Sequence, residues 1–418
     1  MTRFGLTRML AAAAAVLAVS AALVATVSRA APGQSAPGHS TARYEVWVID
    51  QADAARGGAR LYIYDGLRLE AGESPTPVVV NLDAAARGVG DGAGVRPHMV
   101  EFNSTLSHAV IANFASGHVY VMRTRDRKIV ASIDVGEQAH HAVVSPDGRL
   151  ILVANLGGKR LARIHADFAA GHFTYDRAQD LNLGALEDKA RPDNAPVCPV
   201  LAGGKAYVTL RGGGMYVVDY RATPMRILRS YSRDEIAPAG CGGMVVGGRI
   251  YVNSGTIASS DLYVFDAASD ALLRHLPLGW TGFDSHGMVA VGTAGRSGSG
   301  APQPHGAGGR YLWLSNRAQG NVVIVDTQHD SVVGIIDGVG AAPDIAGVSP
   351  SGRRVYMVLR GPNNLSGGPS ARGATPGFAI LQVVEDGRRG RRVGFVPIGD
   401  QSPASPVDPH TLVVRVIR

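Results

Sequence analysis

Residues 140–155 read HHAVVSPDGRLILVAN, and this stretch decides how the rest of the chain is read. A polar opening is followed by a short apolar run, a Ser-Pro-Asp-Gly turn, and a second apolar run that ends in Asn. Two runs of this length, rich in β-branched residues and separated by turn residues, form an antiparallel hairpin. A third run follows directly, after the turn Asn155-Leu156-Gly157-Gly158. The same order recurs elsewhere. Ser349-Pro350-Ser351-Gly352 repeats the first turn, while Asn113 to Gly117, Arg211 to Gly214, Asn253-Ser254-Gly255 and Asn316 to Gly320 repeat the second. Fourth runs end at Val135-Gly136, Leu278-Gly279, Asp337-Gly338 and Ile398-Gly399.

Aligning the units on these turns places one residue at the opening of each first strand: His98, His140, Cys198, Cys241, His286, Asp344 and His410. A four-strand unit repeating every 40–50 residues or so is the signature of a β-propeller. Seven openings predict an all-β chain folded as a single seven-bladed propeller over residues 44–418. The wider spacings contain insertions at about residue 185, at 295–309 and at 362–377. A helix is predicted over 181–189. After His410 only one strand remains, so Tyr44–Asp50, 61–65 and Val78–Asn81 must complete the last blade, joining the two ends of the chain. This closure leaves no open sheet edge.

Composition agrees with such a fold. The 418 residues are 45% hydrophobic and 18% charged, too apolar for a disordered chain. The 54 glycines have a place in the hairpin turns, and two cysteines are too few for a disulfide scaffold or a zinc array. Residues 1–30 read as a cleaved signal peptide: Arg3 and Arg8, an Ala/Val/Leu run, then Ser28-Arg29-Ala30. The alternative is an uncleaved anchor. Residues 31–43 are expected to form a flexible N-terminal segment. Removing 1–30 takes away three arginines and no acid, which lowers the formal charge from +7 to +4. The basic run at 388–392 resembles a hairpin tip, and without a basic stripe nucleic-acid binding is not expected. The mature protein is expected to be a periplasmic or secreted monomer without a membrane span.

The first strands of a propeller are innermost, so their opening residues gather around one mouth of the channel. Four His and one Asp converging there suit Zn²⁺. The candidate ligands are His98, His140, His286, His410 and Asp344, with Glu137, Asp284 and Asp408 as further carboxylates that could ligate or orient. His141 is expected to point to the other face, with replacement of His140 as its alternative. The bland reading is a set of imidazoles lining a water-filled channel. Cys198 and Cys241 open adjacent blades and suit a disulfide, the alternative being two thiolate ligands. The other histidines fall at turns or outer strands and are expected to be solvated. No Gly-x-Ser-x-Gly elbow occurs, and the ring has too few His for a copper cluster of the nitrous oxide reductase kind.

Several stretches resemble the AztD family of exported zinc metallochaperones, over nearly the whole mature length. They include Glu101 to Ser104, His108 to Val119, Ala195 to Pro199, Arg211 to Gly214, Gly240 to Gly243, Asp284 to Gly287, Arg360-Gly361-Pro362 and Asp408-Pro409-His410. The resemblance implies a propeller that binds Zn²⁺ and passes it to the zinc solute-binding protein of an ABC importer. It maps the family's ring His onto His98, His140, His286 and His410, and its paired cysteines onto Cys198 and Cys241. The chain departs at 31–43, which has only His39 where that family often has a His-rich stretch. The other function weighed is an exported metal- or cofactor-dependent enzyme, quinoprotein-like or lactonase-like.

Overall fold

The computed structural model describes residues 42–52, 59–91, 96–255, 260–278, 282–293 and 309–417. All of these belong to one compact unit, Thr41–Arg418. The expected signal peptide and most of segment 31–43 lie outside the described residues.

Seven antiparallel sheets of four main strands follow one another along the chain. Their inner strands are Pro97–Phe102 in blade 1, Ala139–Val144 in blade 2, Pro196–Ala202 in blade 3 and Gly243–Val246 in blade 4. Met288–Val291, Pro343–Val348 and Pro409–Val416 follow in blades 5 to 7. Each inner strand contacts the next, and that of blade 7 contacts that of blade 1. The sheets therefore close into a ring, and the chain is a seven-bladed β-propeller. Blade 7 is the composite: Pro409–Val416 pairs with Tyr44–Asp50, which pairs with Arg60–Asp65 and then Val78–Asn81.

The apolar runs are nearly continuous because a blade packs on both faces. Second strands such as His108–Asn113, Leu150–Asn155 and Tyr311–Asn316 are buried throughout. Outermost strands such as Leu272–Pro277 are largely solvated. Seven large hydrophobic clusters fill the seven blade interfaces, one each. Each fully buried Leu, Ile, Val or Phe there contributes about 1.5–3 kcal/mol. The Ser145-Pro146-Asp147-Gly148 turn forms as expected: the Gly148 amide donates to the Ser145 carbonyl at 2.8 Å, with Gly148 at φ +69°.

Two expectations change. Residues 181–189 are not a helix. Leu181–Asn182 adds a short strand to blade 2, and Gly184–Leu186 is a single 3₁₀ turn with i→i+3 bonds only. The basic run is not a hairpin tip: Glu385–Gly387 makes the turn, and the arginines run on into the outer strand Arg389–Pro397. Two one-turn helices, Gly66–Glu70 and Leu82–Arg87, flank the outer strand of blade 7 and are capped by the side chains of Asp65 and Asn81. No helix among the described residues is long and apolar enough to cross a membrane.

Candidate metal centre

The opening residues are aimed by a shared irregularity. In blades 1, 2 and 7 the pairing skips His98, His140 and His410, each an extra residue opposite a regular partner strand. In blades 3 and 6 the skipped segments contain Cys198 and Asp344. A β-bulge of this kind turns a side chain out of the pleat. Here it does so in five blades at the same mouth of the ring.

Four imidazoles meet there. The His98 ring centroid lies 4.0 Å from that of His410 and 4.3 Å from that of His140, while His286 lies 4.9 Å from His410. Three of them have Nδ1 held by an acceptor. His98 Nδ1 donates to Gln51 Oε1 at 2.6 Å, His410 Nδ1 to the His98 carbonyl at 2.8 Å, and His286 Nδ1 to Asp344 Oδ1 at 2.7 Å. A proton fixed on Nδ1 leaves the Nε2 lone pair free in the neutral ring. Nε2 of His98 indeed faces Nε2 of His140 at 3.0 Å.

The protonation states suit a cation. Burial pushes His98 well below the ordinary histidine value, helped by the neighbouring rings and Arg360. Burial does the same to His410, with Arg360 and His286 adding to it. His140 is lowered to about 3 by burial, with His286 and His141 contributing. These rings are neutral at pH 7, the form that ligates metals.

Behind the rings lies a buried polar frame. Arg360 is fully buried and donates to both oxygens of Asp408 at 2.7 Å and to Asp344 Oδ2 at 2.9 Å. Burial alone would raise the Asp344 carboxyl, but His286, Arg317 and Arg360 outweigh it and hold the group below the usual carboxylate range. Asp408 also accepts from Gln51 Nε2 at 3.3 Å, which fixes the amide that orients His98. Arg317 donates to Asp284 at 2.9 Å. Gly287 lets blades 5 and 6 approach: a Cβ there would lie 2.6 Å from the Asp344 carbonyl oxygen. The insertion at 362–377 is tied down over the mouth, since Ser366 bonds Arg360 and Gln51 and Ser370 bonds Asp284. A cavity of about 440 Å³, lined in part by His98, His140, His286, Arg317 and Ser366, opens beside the rings.

The expected residues thus divide. His98, His140, His286 and His410 come together. Asp344, Asp284 and Asp408 stand among the buried ion pairs of the frame, and Asp344 lies close enough to His286 and His410 to share an ion with them. Glu137 is exposed. His141 turns toward blade 1 and lies 3.3 Å from Glu101. Cys198 and Cys241 form a disulfide. Of the histidines expected to be solvated, His108 is instead buried against Phe168, and His118 pairs with Asp91 at 2.9 Å. Gln51, Arg360 and Arg317 join the site although none of them opens a blade. Only Arg360 carried a signal, as an arginine before Gly-Pro.

Neither the protein-family models nor the curated proteins yield a match to this sequence. Among solved structures the chain is similar to a candidate 6-phosphogluconolactonase from Bacteroides uniformis, at 12% identity and TM-score 0.60, covering 90% of this chain and 99% of that one. A second, from Bacteroides fragilis, gives 14% identity and TM-score 0.59, with 91% and 99% covered. Kuenenia stuttgartiensis hydrazine synthase gives 16% identity and TM-score 0.51, with 74% and 90% covered. At such identities the likeness is one of fold.

Proposed function

We propose that the protein is an exported zinc carrier of the AztD kind. It would hold Zn²⁺ as cargo at the mouth of the propeller and surrender it to the zinc solute-binding protein of an ABC importer. The observation that carries this reading is the convergence of four imidazoles at one mouth, with Nδ1 of His98, His410 and His286 each held by an acceptor. His98, His140, His286 and His410 would supply the ligands, as tetrahedral Zn²⁺ sites require nitrogen donors at about 2.0–2.1 Å. Asp344 would orient His286, and Gln51 would orient His98. Export, with a periplasmic or secreted location, rests on the signal-like residues 1–30. The partner rests on the family resemblance alone.

A second reading is favoured by the cavity beside the rings: an enzyme that keeps one coordination position open for substrate. The lactonase-like fold neighbours belong with this alternative.

The test is elemental analysis of the oxidised protein after zinc loading and desalting. About one zinc per chain is expected, lost in His98→Ala/His410→Ala. Protein that retains no zinc would sink both readings. Zinc that moves to the solute-binding protein on mixing separates a carrier from an enzyme.

A further inference from the structure

We infer that reduction of the Cys198–Cys241 disulfide creates a second, softer metal site, in which the two thiolates join His140. The donor atoms of these three residues lie within 4.8 Å of one another, and all three are buried. His140 Nδ1 is 3.9 Å from Cys198 Sγ. Tetrahedral zinc legs of 2.0–2.3 Å place N and S ligands roughly 3.5 Å apart, so His140 and Cys198 need close only a few tenths of an ångström, while the two sulfurs must part from bonding distance to roughly 3.7 Å. The inference does not depend on what the four imidazoles bind, beyond sharing His140 with them.

Two features keep the two cysteine segments side by side once the bond is broken. The Thr209 hydroxyl donates to the Gly240 carbonyl at 2.6 Å and accepts from the Cys198 amide at 3.3 Å, so it bridges the two cysteine segments. Gly242, next to Cys241, bonds the Asn253 side chain and backbone. The sulfurs are also within reach. Cys241 lines both the mouth cavity and a channel cavity of about 180 Å³, whereas Cys198 lines only the channel. Cys241 is accordingly the more exposed of the two, at 8% against 2%.

The chemistry closes with a dithiol as reductant. One reductant thiolate attacks Cys241 Sγ, the S–S bond breaks, and Cys198 leaves as a thiolate while a mixed disulfide forms. The second reductant thiol displaces Cys241 and closes the reductant's own disulfide. Two electrons and two protons pass to the protein, and a bound cation later releases the protons.

Full-length protein is reduced with dithiothreitol, freed of it anaerobically and titrated with Co²⁺. A thiolate-to-cobalt charge-transfer band should saturate near one Co²⁺ per chain. It should be absent from oxidised protein and from Cys198→Ser/Cys241→Ser, and weakened roughly tenfold or more in His140→Ala. The band should survive in His286→Ala/His410→Ala, which separates this site from the imidazole centre. Folded, reduced protein with two titratable thiols and no band would overturn the inference. So would a band indifferent to His140→Ala, or loss of the near-ultraviolet circular dichroism on reduction alone.

Discussion

The ring has two arcs built from the same structural position. Blades 5, 6, 7, 1 and 2 present His286, Asp344, His410, His98 and His140. Blades 3 and 4 present Cys198 and Cys241, which share a small apolar cluster with Val197. The first arc is held by hydrogen bonds and buried charge, the second by a covalent bond. An imidazole can be useful at such a position only if something fixes its proton and direction, so that arc needs Gln51, Asp344, Asp408 and Arg360 behind it. A disulfide is directed by its own geometry, and Cys198 and Cys241 need only a bridging threonine.

The largest effect should come from the polar frame. Arg360→Met leaves Asp408 buried without its ion-pair partner and takes one cation from Asp344, and should lower stability by about 3–5 kcal/mol in urea denaturation. A loss below about 1 kcal/mol would mean that the frame does not hold its arc. The covalent arc should follow. Cys198→Ser/Cys241→Ser reopens a loop of 43 residues and should lose about 2–4 kcal/mol while the zinc uptake proposed for the imidazole arc is kept. Loss of zinc in that variant would show the arcs to be one unit.

The smallest effect concerns acid. In the folded protein His140 titrates near 3, against an ordinary 6.5. Between those values the unfolded chain binds a proton that the folded chain does not, so stability falls as pH drops through that window and is flat above it. His140 should contribute about 2 kcal/mol of loss between pH 6.5 and 5. Thermal melting across this range should show a shallower slope in His140→Gln, and an unchanged slope would contradict the burial argument.

Much of this was legible in the sequence, for an identifiable reason. The turns at Ser145 to Gly148 and Ser349 to Gly352 mark strand ends locally, and their spacing counted the blades and located the opening residues. The frame was not legible, because its partners are far apart in the chain. Gln51 meets Asp408 across 357 positions. An arginine before Gly-Pro reads as a loop residue until folding places it between two aspartates. The bulges were hidden as well, since an extra residue in a strand leaves no mark in composition. Residues 181–189 misled because apolar spacing alone cannot tell a helical turn from a two-residue strand followed by a 3₁₀ turn.

The composite blade bears on the order in which the molecule is made. His410 lies on the last strand of the chain, and that strand pairs with Tyr44–Asp50 from the other end. Gln51, directly after that early strand, orients His98, while His410 itself is held by the His98 carbonyl. A chain that has not yet reached His410 cannot present all four imidazoles, however much of the ring has already formed. The four-imidazole cluster therefore assembles only when blade 7 closes. A chain cut short before His410 would be left without the complete cluster.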